Sequence, residues 1–117
     1  LVALCDINGP RAESVAAKFG DPRVYTDYRE MLKCDDIDAV AIGTPNYLHA
    51  PQTIAAFKAG KHVLIEKPMV RDRAEAARLL AAHAAAPRPV GAWADRELAV
   101  ASPARRVMRR EVFMTVG

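Results

Sequence analysis

Apolar residues follow two alternating patterns along this chain. Residues 1–5 (LVALC), Ala39–Gly43 (AVAIG) and His62–Ile65 (HVLI) are short, largely apolar runs bounded by turn formers. Between them lie longer stretches whose apolar positions recur at three- and four-residue spacing. Such runs, alternating with amphipathic helices, mark a parallel sheet covered by helices on both faces. The pattern predicts an α/β fold, a partial doubly wound parallel sheet, with strands at residues 1–5, 24–25, 39–43 and 62–65.

The helical segments carry their own punctuation. Asn8, Gly9 and Pro10 turn the chain, and Ala12, Val15, Ala16 and Phe19 then form one stripe that Gly20 ends. Asp27 with Glu30, and Asp72 with Glu75, have capping-box spacing at two further helix starts. A helix following Thr44, Pro45 and Asn46 is expected to reach about Ala59, with Ala50, Ile54 and Phe57 toward the core and Gly60 as a left-handed stop. Ala76, Leu79, Leu80 and His83 stand at i, i+3, i+4 and i+7 of the last clear helix, which Pro87, Arg88 and Pro89 end. Past that point the pattern fades. Val90, Gly91, Ala92 and Trp93 read as a weak edge strand, and residues 105–112 as a short basic helix with Val107, Met108 and Val112 on a thin face. Residues 1–86 are thus expected to form a partial α/β domain, of the architecture that binds dinucleotides, and residues 87–117 an Arg-rich tail.

Composition narrows the function classes. With 117 residues, 51% hydrophobic and 26% charged, the chain has the balance of one globular domain. No apolar run approaches the roughly 18 residues of a bilayer-spanning helix, so no membrane partner is expected. The net charge of +3 arises entirely beyond residue 86: residues 1–86 hold 11 Lys and Arg against 11 Asp and Glu. The remaining segment has six Arg and three acids but only Trp93 and Phe113 as aromatics, too few for a base-stacking platform, and no nucleic-acid partner is expected. Two cysteines, Cys5 and Cys34, make neither a disulfide framework nor a thiolate metal site, and a reducing cytoplasm is the expected location. No metal-ligand spacing or Ser-His-Asp constellation is present in the sequence.

Open parallel sheets bind ligands outside the carboxyl ends of their strands. Three segments qualify: Asp6, Ile7 and Asn8; Thr44, Pro45 and Asn46 with His49; and Glu66, Lys67 and Pro68. A carboxylate at the end of an early strand can accept an adenosine ribose hydroxyl and repel a 2′-phosphate, although an Asp there also serves as a turn former or helix cap. Lys67 alone reads equally as a surface lysine, and His49 as a histidine with a local hydrogen bond at a helix start. His62 reads as structural or exposed, and His83 as a partly buried core residue.

The stretch from Asp38 to Met69 joins T-P-N-x-x-H at residues 44–49 to E-K-P at residues 66–68. In these motifs and their spacing the chain resembles the glucose-fructose oxidoreductase and inositol dehydrogenase family (Gfo/Idh/MocA), whose members are nicotinamide-dependent enzymes of sugars, polyols and related compounds. The resemblance covers residues 1–83 and fades after Pro87. It implies that Asp6 and Ile7 meet the adenosine ribose of NAD, with NADP not excluded. It implies too that Thr44, Pro45, Asn46 and His49 line the cofactor groove, that Glu66 and Lys67 face the nicotinamide, and that Lys67 is catalytic. Physics supports a lysine there, because an ammonium held over a reacting hydroxyl or carbonyl stabilises developing oxyanion charge.

Residue 1 lies inside an apolar run and is not Met, so the true N-terminus is expected upstream; the resemblance implies a first strand and a glycine-rich turn there, and a substrate domain downstream in a homo-oligomeric parent. A sheet without its first strand is expected to be marginally stable or to associate. The 117-residue chain by itself is expected to bind NAD weakly and to turn nothing over, since the glycine-rich helix start supplies the main pyrophosphate donors. A reading from another class, a degenerate dinucleotide-fold protein without turnover, accounts for the same scaffold. The segment after Pro87 is compatible with a diverged end, a truncation or an altered reading frame.

Overall fold

The computed structural model describes residues 1–87 and the strand Glu111–Thr115. In chain order the elements are β1 (Ala3–Cys5), α1 (Gly9–Ala16), β2 (Arg23–Tyr25), α2 (Tyr28–Leu32), β3 (Ala39–Gly43), α3 (Asn46–Lys58), β4 (His62–Ile65), α4 (Arg73–Ala85) and β5 (Glu111–Thr115). All strand pairs are parallel and the sheet order is β2-β1-β5-β3-β4. The doubly wound α/β fold predicted from the apolar pattern is therefore present.

Dinucleotide folds of this type order their strands 3-2-1-4-5-6. Here β1, β2, β3 and β4 take places two, three, four and five, and β5 takes place one, between β1 and β3. The expected gap is filled by the last strand of the described chain. Leu4 pairs with Phe113 on one side of β5, and Ala41 pairs with Phe113 on the other. The premise for marginal stability is removed at this point, since neither β1 nor β3 presents an open edge toward the other. Reading residues 105–112 as a helix fails for Glu111 and Val112, which are in β5. Residues 105–110 and the weak strand at Val90, Gly91, Ala92 and Trp93 lie outside the described residues.

Ala3, Cys5, Met31, Leu32, Ile37, Val40, Ile42 and Ala56 form the core cluster, linking β1, α2, β3 and α3. Burial and the neighbouring carboxylates of Asp27 and Asp6 push the Cys5 thiol up to about 11, which leaves it inert as a nucleophile. Three helix faces differ from expectation. Phe19 is 61% exposed because α1 ends at Ala16 and the chain leaves the helix before the stripe is complete; Gly20 then takes its positive φ. On α3 the buried positions are His49, Ala50, Gln52, Thr53 and Ala56, while Ile54 and Phe57 are half-buried. On α4 the buried pair is Glu75 and Leu79; Leu80 is 66% exposed, and His83 is exposed with its ring edge-on to Phe57 at 5.0 Å. Gly60, at φ +71, ends α3 as expected.

Both expected capping boxes are half-made. Asp27 Oδ1 accepts from the Arg29 N–H at 2.9 Å, and Glu30 turns to Lys33 instead. Asp72 Oδ1 accepts from the Glu75 N–H at 2.8 Å, while the buried Glu75 carboxylate receives the backbone N–H and guanidinium of Arg71. Those bonds from Arg71 hold the Glu75 carboxyl below its ordinary value. A carboxyl with a depressed folded-state pKa stabilises the fold above the ordinary value of about 4.3, and this contribution is lost as pH falls through the lower folded value. Glu75→Gln is thus expected to lower the melting temperature at neutral pH, and the gap to the parent chain should close in acid; thermal melts across pH 2–7 check it.

Candidate functional site

Register aligns the strand ends. Cys5 and Ile42 both pair with Met114, and Ile42 pairs with Ile65, so these four residues form one row across the sheet. The next residues in each strand are Asp6, Thr115, Gly43 and Glu66. Gly43 pairs with Thr115, the Asp6 N–H donates to the Tyr25 carbonyl, and the Glu66 N–H donates to the Ile42 carbonyl. All three motif segments consequently leave the sheet at one edge. Asp6 and Glu66 stand three strand spacings apart, about 14 Å at roughly 4.8 Å each. The edge spans the point where the winding reverses, with β1 and β2 on one side of β5 and β3 and β4 on the other, which is where such sheets bind ligands.

At the β1 end, Asp6 is 1% exposed although it terminates a strand. Its carboxylate accepts from Arg11 Nε at 2.7 Å, from Arg11 Nη2 at 2.8 Å and from the Asn8 N–H at 2.8 Å. Asn8 in turn caps α1, its side-chain oxygen accepting from the Arg11 N–H at 3.1 Å. Turn, cap and fork together fix Asp6 and Arg11 as a planar pair. The sequence reading missed Arg11, although an arginine in the first helical turn after a carboxylate-terminated strand was a usable signal. Ile7 is 75% exposed beside this pair.

In the middle of the edge, β3 ends at the exposed Gly43, and Thr44 turns inward. The Thr44 hydroxyl donates to Gln52 Oε1 at 2.7 Å, a buried contact, so it offers no free proton to a ligand. Gln52 was likewise missed: nothing local marks a buried glutamine on a helix as the partner of a strand-end threonine. Pro45 is the N-cap of α3, which begins at the exposed Asn46 with no side-chain capping bond. His49 sits one turn further on, 2% exposed, with Nε2 2.6 Å from the Thr44 carbonyl oxygen and Nδ1 2.7 Å from the Pro68 carbonyl oxygen. Both ring nitrogens face protein backbone, so His49 offers a ligand no free nitrogen.

At the β4 end, Glu66, Lys67 and Pro68 are exposed, with a cis peptide between Lys67 and Pro68. No described group covers the Lys67 ammonium. Among the described residues no group of three or more His, Cys, Asp or Glu could hold a metal ion. No helix of the described residues is long and apolar enough to cross a membrane.

With this geometry established, comparison with known proteins is direct. Residues 1–92 match the family model described as oxidoreductase family, NAD-binding Rossmann fold. The chain is 44% identical over 80 residues to the uncharacterized oxidoreductase ORF334 of Rhizobium meliloti, covering 68% of this chain and 24% of that protein. Among solved structures it is similar to KijD10, a 3-ketoreductase from Actinomadura kijaniata in complex with NADP and TDP-benzene. The TM-score is 0.67 and the identity 37%, over 72% of this chain and 26% of that one. A levoglucosan dehydrogenase in complex with NADH and levoglucosan gives the same TM-score of 0.67 at 35% identity, over 73% of this chain and 23% of that one. The chain spans about a quarter of the length of such relatives. It belongs to the Gfo/Idh/MocA oxidoreductase family, within that family's NAD-binding Rossmann-fold domain.

Proposed function

We propose that this chain is the dinucleotide-binding part of a nicotinamide-dependent oxidoreductase that moves hydride to or from a carbon of a sugar, polyol or related compound. The observation that carries the reading is the shared edge: Asp6, Gly43, Thr44, Glu66 and Lys67 all lie at the carboxyl ends of parallel strands around the reversal point. Family membership and relatives that act on sugars support it. The residues present fit such a cofactor. The carboxylate of Asp6 would suit a ribose hydroxyl once the half-exposed Arg11 swings aside, the bare Gly43 admits a ligand close to backbone, and the uncapped start of α3 presents N–H donors to an anion at the same edge.

In this reading Asp6 and Ile7 hold the adenosine ribose, Thr44, Pro45 and Asn46 form the groove wall, and Glu66 and Lys67 reach the nicotinamide end. A nicotinamide bound there would supply the hydride acceptor or donor. Lys67 Nζ would hold the substrate oxygen. As the carbon is oxidised the hydroxyl proton would leave to solvent, and the ammonium would stabilise the negative charge developing on that oxygen. The reverse reduction places the same ammonium on the carbonyl. NAD is the cofactor favoured by Asp6. The parent oxidoreductase works as a homo-oligomer in the cytoplasm, where Cys5 and Cys34 remain free thiols.

Arg11 sharpens the cofactor prediction. Its guanidinium is 40% exposed and is held by Asp6; released, it is a phosphate-binding fork. In the oxidoreductase that carries this domain, Asp6→Ala is expected to weaken NAD binding by about tenfold or more, the scale of one charge-assisted hydrogen bond of roughly 1.5–3 kcal/mol. Binding of NADP should weaken less or improve. Dissociation constants for both cofactors check this, and an unchanged ratio removes Asp6 from the ribose site.

A further inference from the structure

The buried ring of His49 meets backbone on both of its nitrogen edges: the Thr44 and Pro68 carbonyl oxygens stand 2.6 Å and 2.7 Å from Nε2 and Nδ1, and a nitrogen that carries a hydrogen donates to the carbonyl it faces.

We propose that His49 is a positioning residue: its buried ring, set between the Thr44 and Pro68 carbonyl oxygens, ties the Thr44 turn after β3 to the Lys67-Pro68 turn after β4. The two turns are far apart in sequence and share no backbone ladder beyond the end of β4, where the Glu66 N–H meets the Ile42 carbonyl. Beyond that bond, Lys67 and Pro68 are exposed, and the ring of His49 is the described side chain that holds the Pro68 carbonyl to the rest of the edge. The bridge stands on geometry alone; its consequence for Lys67 rests on the functional reading above.

Backbone amide chemical shifts of the 117-residue chain and its His49 variants test the bridge. His49→Phe, which keeps a ring and removes both nitrogens, should shift the backbone amides of Asn46 and Met69 together while the Asp6 and Asn8 amides stay in place. Movement of only one turn, with the fold intact, overturns it equally. If His49→Phe does not fold, His49→Gln, which retains donors, gives the same comparison with smaller shifts. In the oxidoreductase carrying this domain, His49→Gln should lower kcat about tenfold while the KM for NAD changes less than twofold, a split that general loss of structure would not produce. An intact bridge with unchanged kcat removes the consequence for Lys67 and leaves the structural link standing.

Discussion

A Phe113→Pro chain is expected to lose its cooperative unfolding transition or to unfold at far lower denaturant than the parent. Phe113 sits at the middle of β5, opposite Leu4 of β1 and Ala41 of β3. A proline there deletes an N–H from a strand with neighbours on both sides and forces its ring into the ladder, a cost of about 3 kcal/mol or more. A typical domain has a total stability of only about 5–15 kcal/mol. Phe113→Val keeps a strand-forming residue with its N–H and should change much less. Urea titrations followed by circular dichroism compare the three chains. Equal midpoints for parent and proline variant would show that Glu111–Thr115 does not hold the centre of the sheet.

Lys67→Ala is expected to lower turnover of the oxidoreductase by roughly 10²-fold or more, the scale of a lost positioned acid or electrostatic donor. NAD affinity should change far less, since the proposed reading gives Asp6 and the Thr44 turn the other parts of the cofactor. The effect separates the catalytic reading from the degenerate scaffold, for which no turnover exists to lose. Steady-state kinetics with a sugar or polyol substrate give the number, and near-normal turnover in the variant would return Lys67 to the surface or the groove wall.

The sequence shows the sheet's outer architecture well, because parallel strands buried between helices write themselves as continuous apolar runs. Residues 1–5, 39–43 and 62–65 were identifiable for that reason, and Asp27, Gly60 and Asp72 mark helix ends through local backbone chemistry. β5 escaped because its place depends on pairing with β1 and β3, over a hundred and about seventy residues away, while locally an Arg-rich run hides three apolar residues. Phe19, Leu80 and His83 show another limit: a helical stripe gives a face but not how far the neighbouring element extends to cover it. At the site, residue types and spacing located the edge. They did not reveal that Asp6 is clasped by Arg11 or that both nitrogens of His49 face backbone, since those partners depend on how turns fold against each other.

Amide chemical-shift mapping of the 117-residue chain, titrated with NAD to millimolar concentration, tests whether the strand-end edge is a dinucleotide site even when affinity is weak. Shifts are expected at the amides of Asp6, Ile7, Asn8, Gly43, Thr44, Asn46, Glu66, Lys67 and Met69, in the three segments that leave the sheet together, with little change along the opposite strand ends near Arg23, Asp38 and Lys61. Shifts confined to the basic surface of Arg29, Lys33, Lys58 and Lys61, or none at saturating cofactor, would contradict the account.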